Sequence, residues 1–254
     1  MKHLPIILFA CALALSCQQH PYPKISGHRG ANFIAPENTL ASADSCIKYG
    51  IDVMECDVVL SKDSVFYLLH DSLLNRTTNG KGPICEWESE DLDKLDAGSW
   101  FGPHWEGEKL PRFSALLEKA AASGLELTVD YRTGDFRALV DLIDSYGMLE
   151  HTYFTFSSEE DTRRFREMFP GIRSLQAYVY DPAKVDEVID EFDPDIAVMW
   201  ADRMTRSAVR RCHKRGIKVL ALALGLGDRT AANRKAIRLG VDIIASDKPE
   251  LLVR

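Results

Sequence analysis

The sequence lacks most of what would mark a membrane-spanning, disulfide-stapled or nucleic-acid-binding protein. Long apolar runs are missing: the one sustained run covers residues 4–15, short of the ~20 residues a spanning helix needs. Cysteine is sparse, with six in 254 residues and no pair in CxxC spacing, which argues against a zinc or dithiol redox motif. Cys46, Cys56, Cys85 and Cys212 are expected to be buried free thiols. A surplus of positive charge is also absent: 31 Lys and Arg stand against 38 Asp and Glu, a net charge of −7. That argues against a nucleic-acid partner, which calls for a basic face. An anionic substrate would have to be attracted by a few local Arg or Lys side chains or by a metal ion. After Pro23 there is no internal repeat, low-complexity tract or linker, so a single folded unit is expected.

The N-terminus reads as a targeting segment. Lys2 and His3 precede the apolar run, and Ser16-Cys17 closes it. Residues 1–16 have the form of a secretory signal. The Cys after a small residue resembles a bacterial lipoprotein cleavage site, with Ala14 where Leu is usual. The expectation is export, with a lipid on Cys17 anchoring the chain to a bacterial membrane on its periplasmic or cell-surface side. Residues 17–23 would form a polar tether and 24–254 the folded domain.

Within that domain, β-rich runs alternate with amphipathic ones. Strand candidates lie at 24–29, 51–58, 65–70, 125–131, 152–156, 174–179, 196–200, 218–224 and 241–246, and helical stretches at 37–49, 113–123, 136–146, 183–192, 205–215 and 229–239. This alternation implies a parallel sheet flanked by helices. On roughly 250 residues it favours a (β/α)8 barrel, with one strand candidate too many. Between residues 57 and 65 there is no room for a crossover helix, so an extended return is expected, with Lys62-Asp63-Ser64 turning at the opposite barrel end. Residues 72–110, irregular and following a strand, are expected to lie over the active-site face, as loops after barrel strands do.

Three strand ends carry polar clusters: His28-Arg29, Glu55-Cys56-Asp57 and His70-Asp71. Side chains alternate along a strand, so Glu55 and Asp57 share a face and Cys56 takes the other. Two carboxylates in one barrel mouth repel each other, and a hard, oxygen-seeking cation relieves the repulsion. His28 and His70 beside them suggest a general acid and a general base. Arg29 offers a fork for phosphate oxygens, or equally a salt bridge to the neighbouring carboxylates. Pro36-Glu37 suits the first turn of a helix, with Glu at the positive dipole end.

Several segments together resemble the glycerophosphodiester phosphodiesterase family: His28-Arg29-Gly30, Ala35-Pro36-Glu37-Asn38-Thr39, Glu55-x-Asp57, His70-Asp71 and Arg76-Thr77-Thr78-Asn79-Gly80. Leu95 to Phe101, Leu110-Pro111, Gly240-Val241-Asp242 and Ser246-Asp247-Lys248-Pro249 continue it. The likeness is dense over residues 25–111 and weak after 150. It implies hydrolysis of a small-molecule glycerophosphodiester to sn-glycerol 3-phosphate and an alcohol. It further implies His28 and His70 as the acid–base pair, Arg29 on phosphate, and one divalent cation, Mg2+ or Ca2+, on Glu55, Asp57 and a third carboxylate. Attack by water and attack by the substrate's own hydroxyl both remain open.

The sequence departs from the family pattern in two places. Asp130 and Arg132 stand on the fourth strand where a Glu and a Lys are usual, keeping both charges, so Asp130 becomes the third ligand and Arg132 a second phosphate contact. Leu222 and Gly225 stand where a Trp and an Asn are frequent, which leaves the alcohol open. Two rival readings are a phospholipase C- or lysophospholipase D-like enzyme acting on lipid head groups, and a non-catalytic phosphodiester-binding lipoprotein. The oligomeric state is not legible.

Overall fold

The computed structural model describes residues 22–131, 135–228 and 230–253. Its strands are β1 (Lys24–Gly27), β2 (Val53–Leu60), β3 (Phe66–Leu68), β4 (Glu126–Tyr131), β5 (Thr152–Thr155), β6 (Gln176–Tyr178), β7 (Ile196–Trp200), β8 (Lys218–Ala223) and β9 (Ile243–Ser246). The helices are α1 (Leu40–Tyr49), α2 (Ser89–Leu92), α3 (Phe113–Ser123), α4 (Phe136–Ser145), α5 (Glu159–Met168), α6 (Val185–Phe192), α7 (Arg206–Lys214) and α8 (Thr230–Leu239).

Eight parallel strands run in the order β5-β4-β2-β1-β9-β8-β7-β6. The ends of this sheet approach each other through a parallel bridge between Phe154 and Leu175, with Phe154 N donating to Ser174 O at 3.1 Å. The result is a nearly closed (β/α)8 barrel. The surplus strand candidate is β3, which pairs antiparallel with β2 off the path of the barrel strands and is bridged on its other edge to Pro111 and Arg112.

Side-chain alternation divides the barrel into two layers. On β8, Val219, Ala221 and Ala223 pack outward in the large core beneath the helices, while Leu220 and Leu222 join a smaller cluster with Ile196, Val198 and Ile243. On β2, Met54, Cys56 and Val58 take the outer layer. Cys46, Cys56 and Cys212 are buried free thiols, as expected, but Cys85 is exposed on the loop after β3.

Two local expectations need correction. The turn at Lys62-Asp63-Ser64 forms, closed by Ser61 N to Val65 O at 2.9 Å, but at the other end of the barrel from the one expected. β2 runs on past Asp57, and Val58, Val59 and Leu60 pair with Leu68, Tyr67 and Phe66, so the hairpin rises beyond the strands' C-terminal ends. The physical reason is economy: an antiparallel pair closes through a tight turn, whereas a return to the opposite end would leave backbone groups without ladder partners. Secondly, helix α1 begins at Leu40, not near Pro36. Thr39 caps it, its hydroxyl accepting from Ser42 N, and Asn38 at φ 55° breaks any helix before it.

Candidate active site at the C-terminal ends of the strands

Glu55 and Asp57 occupy alternate positions on β2, and the parallel register sets Asp57 beside Asp130 of β4 and Glu55 beside Thr128. One carboxylate oxygen from each of Glu55, Asp57 and Asp130 lies within 4.8 Å of the others, the cluster of potential metal ligands found among the described residues. All three line the barrel cavity together with His28. Burial, followed by the charges of Asp57 and Asp130, pushes the Glu55 carboxyl up to about 8. Three carboxylates this close cannot all ionise cheaply without a compensating cation. Their all-oxygen donor set suits a hard divalent ion, so the residues fit the metal that the sequence implies. Arg132 lies outside the described residues.

The segment after β1 wraps around this cluster. Arg29 at φ 55° turns its backbone N–H onto Glu55 Oε2 at 2.6 Å, and Gly30 N donates to Glu55 O at 3.1 Å. Gly30 itself has φ 84°, and a Cβ there would fall 2.4 Å from Ser42 Oγ, so only glycine allows the loop to close over β2. Of the two readings of Arg29, the ion pair is present: Nη1 donates to Glu37 Oε1 at 2.9 Å, and Nε lies 3.5 Å from Asp57 Oδ2.

Each histidine is paired with a carboxylate. His28 Nδ1 lies 2.6 Å from Asp247 Oδ1, and Asp247 also accepts from Asn32 Nδ2 and from Gly225 N. Burial raises the Asp247 carboxyl, but the bonds from His28 and Gly225 outweigh it and hold the group well below the usual range. An ionised carboxylate can only accept, so His28 Nδ1 carries the proton and Nε2 is left for chemistry. Burial disfavours the charged His28 ring, yet Asp247 and Glu55 prevail and shift it toward the imidazolium. His70 follows Leu69, whose N–H donates to Asp57 O at 3.1 Å, and its Nδ1 lies 2.6 Å from Asp71 Oδ1. The Arg76 fork holds Asp71 down at about 2.

Sequence reasoning gave no catalytic or binding role to Glu37, Asn38, Asp71, Arg76 or Asp247, although all five lie in the segments that carry the resemblance. Glu37, expected to serve a helix dipole, instead bridges Arg29 and Arg76. Asn38 is buried against Asp57. The available signal was charge next to a strand candidate: Asp71 and Asp247 directly follow the candidates at 65–70 and 241–246. Of the two departures near the C-terminus, Leu222 lines the apolar side of the cavity, whereas Gly225 lies past β8 in a turn, where its amide holds Asp247. Trp100 and Phe101 anchor the long loop: Trp100 Nε1 donates to Ala97 O, and Phe101 meets Trp100 and Trp105 edge-on.

Fold and site define a (β/α)8 barrel with an acidic cation-type centre flanked by two His–Asp dyads. The model of the glycerophosphoryl diester phosphodiesterase family matches residues 28–136. The Bacillus subtilis protein YhdW is 31% identical over 251 residues, covering 91% of this chain and 96% of its own length. A glycerophosphodiester phosphodiesterase from Agrobacterium tumefaciens superposes with a TM-score of 0.84 at 32% identity, over 91% of this chain and 98% of that one. A phosphodiesterase from Oleispira antarctica, solved in complex with the product sn-glycerol-3-phosphate, superposes at 0.75 with 26% identity, over 91% of this chain and 95% of that one. The chain belongs to the glycerophosphoryl diester phosphodiesterase family.

Proposed function

We propose that the protein hydrolyses glycerophosphodiesters to sn-glycerol 3-phosphate and an alcohol. The observation that carries this reading is the convergence of Glu55, Asp57 and Asp130 within 4.8 Å at the barrel mouth where His28 lies. Those three carboxylates would hold one divalent cation, Mg2+ or Ca2+. When bound, such an ion supplies Lewis-acid polarisation of a phosphoryl oxygen. Arg29 is steadied by Glu37 on one edge, and the rest of its fork serves the phosphate; Arg132 adds a second positive charge. His28 and His70, each bound through Nδ1 to a carboxylate, present Nε2 as acid and base. One takes the nucleophile's proton and the other protonates the departing alkoxide.

A screen of several glycerophosphodiesters, with Mg2+ and Ca2+ supplied in turn, tests the reading. Release of glycerol 3-phosphate that stops with chelator is the expected result. No release from any diester with either ion would sink it.

The domain boundaries and cellular site belong to the same proposal: residues 1–16 as a signal, a lipid on Cys17, residues 17–23 as tether, and 24–254 as the exported barrel. Fractionation of a Cys17→Ser variant is the check. Expected is a soluble or unprocessed chain; a processed chain still in the membrane fraction would contradict the anchor.

A further inference from the structure

His28 and His70 are held very differently. His28 directly follows β1, a strand bonded on both sides within the barrel wall. His70 comes two residues after β3, which pairs with β2 over three residue pairs and is bridged on its other edge to Pro111 and Arg112. The barrel wall thus carries His28 directly, whereas the backbone before His70 is tied to the wall through Leu69 N to Asp57 O at 3.1 Å, at the foot of a hairpin off the wall. A proton-transfer group displaced by an ångström loses much of its rate, and since those backbone bonds do not orient the ring, side-chain partners must locate it.

A chain of charged groups does so. Asp71 Oδ1 holds His70 Nδ1 at 2.6 Å. Arg76 grips both Asp71 oxygens, Nε to Oδ2 at 2.7 Å and Nη2 to Oδ1 at 3.2 Å. The same guanidinium grips both Glu37 oxygens at 2.9 Å. Glu37 Oε1 then takes Arg29 Nη1, also at 2.9 Å. The Glu37 side chain is only 12% exposed, and burial alone would raise its carboxyl, but the two guanidiniums keep it below its ordinary value. Arg76 thus presents two forks, each closed by a carboxylate, a planar arrangement that lysine could not reproduce. Glu37 is the one link that belongs to the segment after β1 and touches both arginines.

We propose that Glu37 is a positioning residue for the reaction: through Arg76 and Asp71 it sets His70 relative to Arg29 and the carboxylate cluster. This rests on the reading of His70 as an acid–base group and adds to it the element that places that group.

The test is a double-mutant cycle. Glu37→Gln keeps the side chain's shape and removes the charge that holds both guanidiniums. It should lower kcat by about tenfold or more, part of the roughly 100-fold or greater contribution of an acid–base group, since His70 is displaced and not removed. In a His70→Ala background the same change should cost less than about twofold in kcat, because the group it positions is gone. Its effect on KM, which runs through Arg29, should persist there. Arg76→Lys, at a more exposed position, keeps the charge but loses both forks, and should repeat the kcat pattern even if Glu37→Gln folds poorly. Equal kcat losses with and without His70 would overturn the proposal. A second readout does not depend on turnover. Nitrogen-15 NMR of the full chain should show His70 as a single Nδ1–H tautomer in the parent and a mixture in both variants. An unchanged tautomer would overturn the positioning role. A parent without hydrolytic activity would sink the functional reading, and the NMR result would still decide the role of Glu37.

Discussion

Asn38 and Asp57 are bound to each other twice: Asn38 Nδ2 donates to Asp57 Oδ2 at 2.8 Å, and Asn38 Oδ1 accepts from the Asp57 backbone N–H at 3.1 Å. Both side chains are buried, and Asn38 holds φ 55°, a conformation asparagine tolerates better than most residues. Asn38→Ala should therefore cost about 2–4 kcal/mol of stability, from unmet buried polar groups and backbone strain together. Denaturant unfolding reads the first effect, and weaker divalent-ion binding should accompany it. A variant as stable as the parent would show that the pair is not needed to hold Asp57.

Asp247→Asn should leave the fold intact and lower turnover by about 100-fold or more, because the amide no longer enforces the Nδ1–H form of His28. His28→Ala and His70→Ala should each lose at least as much while still binding sn-glycerol 3-phosphate. Steady-state kinetics and product titration separate these effects; near-normal turnover in any of the three removes that residue from the scheme.

Divalent ions should stabilise the folded chain, since burial and then the repulsion of Asp57 and Asp130 raise Glu55 to about 8, and a cation relieves the repulsion. At 100 times Kd the gain is about 2.7 kcal/mol, readable as a rise in Tm that chelator reverses. Asp130→Asn should shrink that rise at a given ion concentration, and excess ion should restore part of it along with part of the activity. A full-sized rise in the variant would exclude Asp130 as a ligand.

The loop after β3 has its own acid-sensitive node. Asp96 accepts from Gly98 N, Ser99 N, Ser99 Oγ and Gly107 N. Burial would raise its carboxyl, but these donors hold it at about 2 against an ordinary 3.8. A carboxyl depressed in the folded state contributes stability above its unfolded value and loses it as pH falls through the folded one. Asp96→Asn should thus lower Tm at neutral pH, and the gap from the parent should close between about pH 4 and pH 2. A constant gap across that window would assign the loss to something other than the charge.

The barrel was legible because period-two and helical patterns alternate along the chain, and each of the nine strand candidates overlaps an observed strand. The direction of the β2–β3 turn was not, since residue types mark a turn without saying which end of the barrel it faces. Glu55, Asp57 and Asp130 were readable as strand-end carboxylates. Glu37 was misread because Pro-Glu is also a common helix opening, and its partners Arg29 and Arg76 are 8 and 39 residues away. Asp247 meets His28 across 219 residues, a contact that only closure of β9 onto β1 creates.

Lys24 opens β1 at the end of the barrel opposite the carboxylates, so Tyr22 and Pro23 meet the fold at its floor. Seven residues, 17–23, stretch to about 25 Å at most. A lipid on Cys17 would therefore moor the barrel by its base and aim the mouth outward, into the aqueous space. A diester whose acyl chains have already been removed would arrive from the open side, whereas a head group still embedded in the supporting bilayer would lie behind the catalyst.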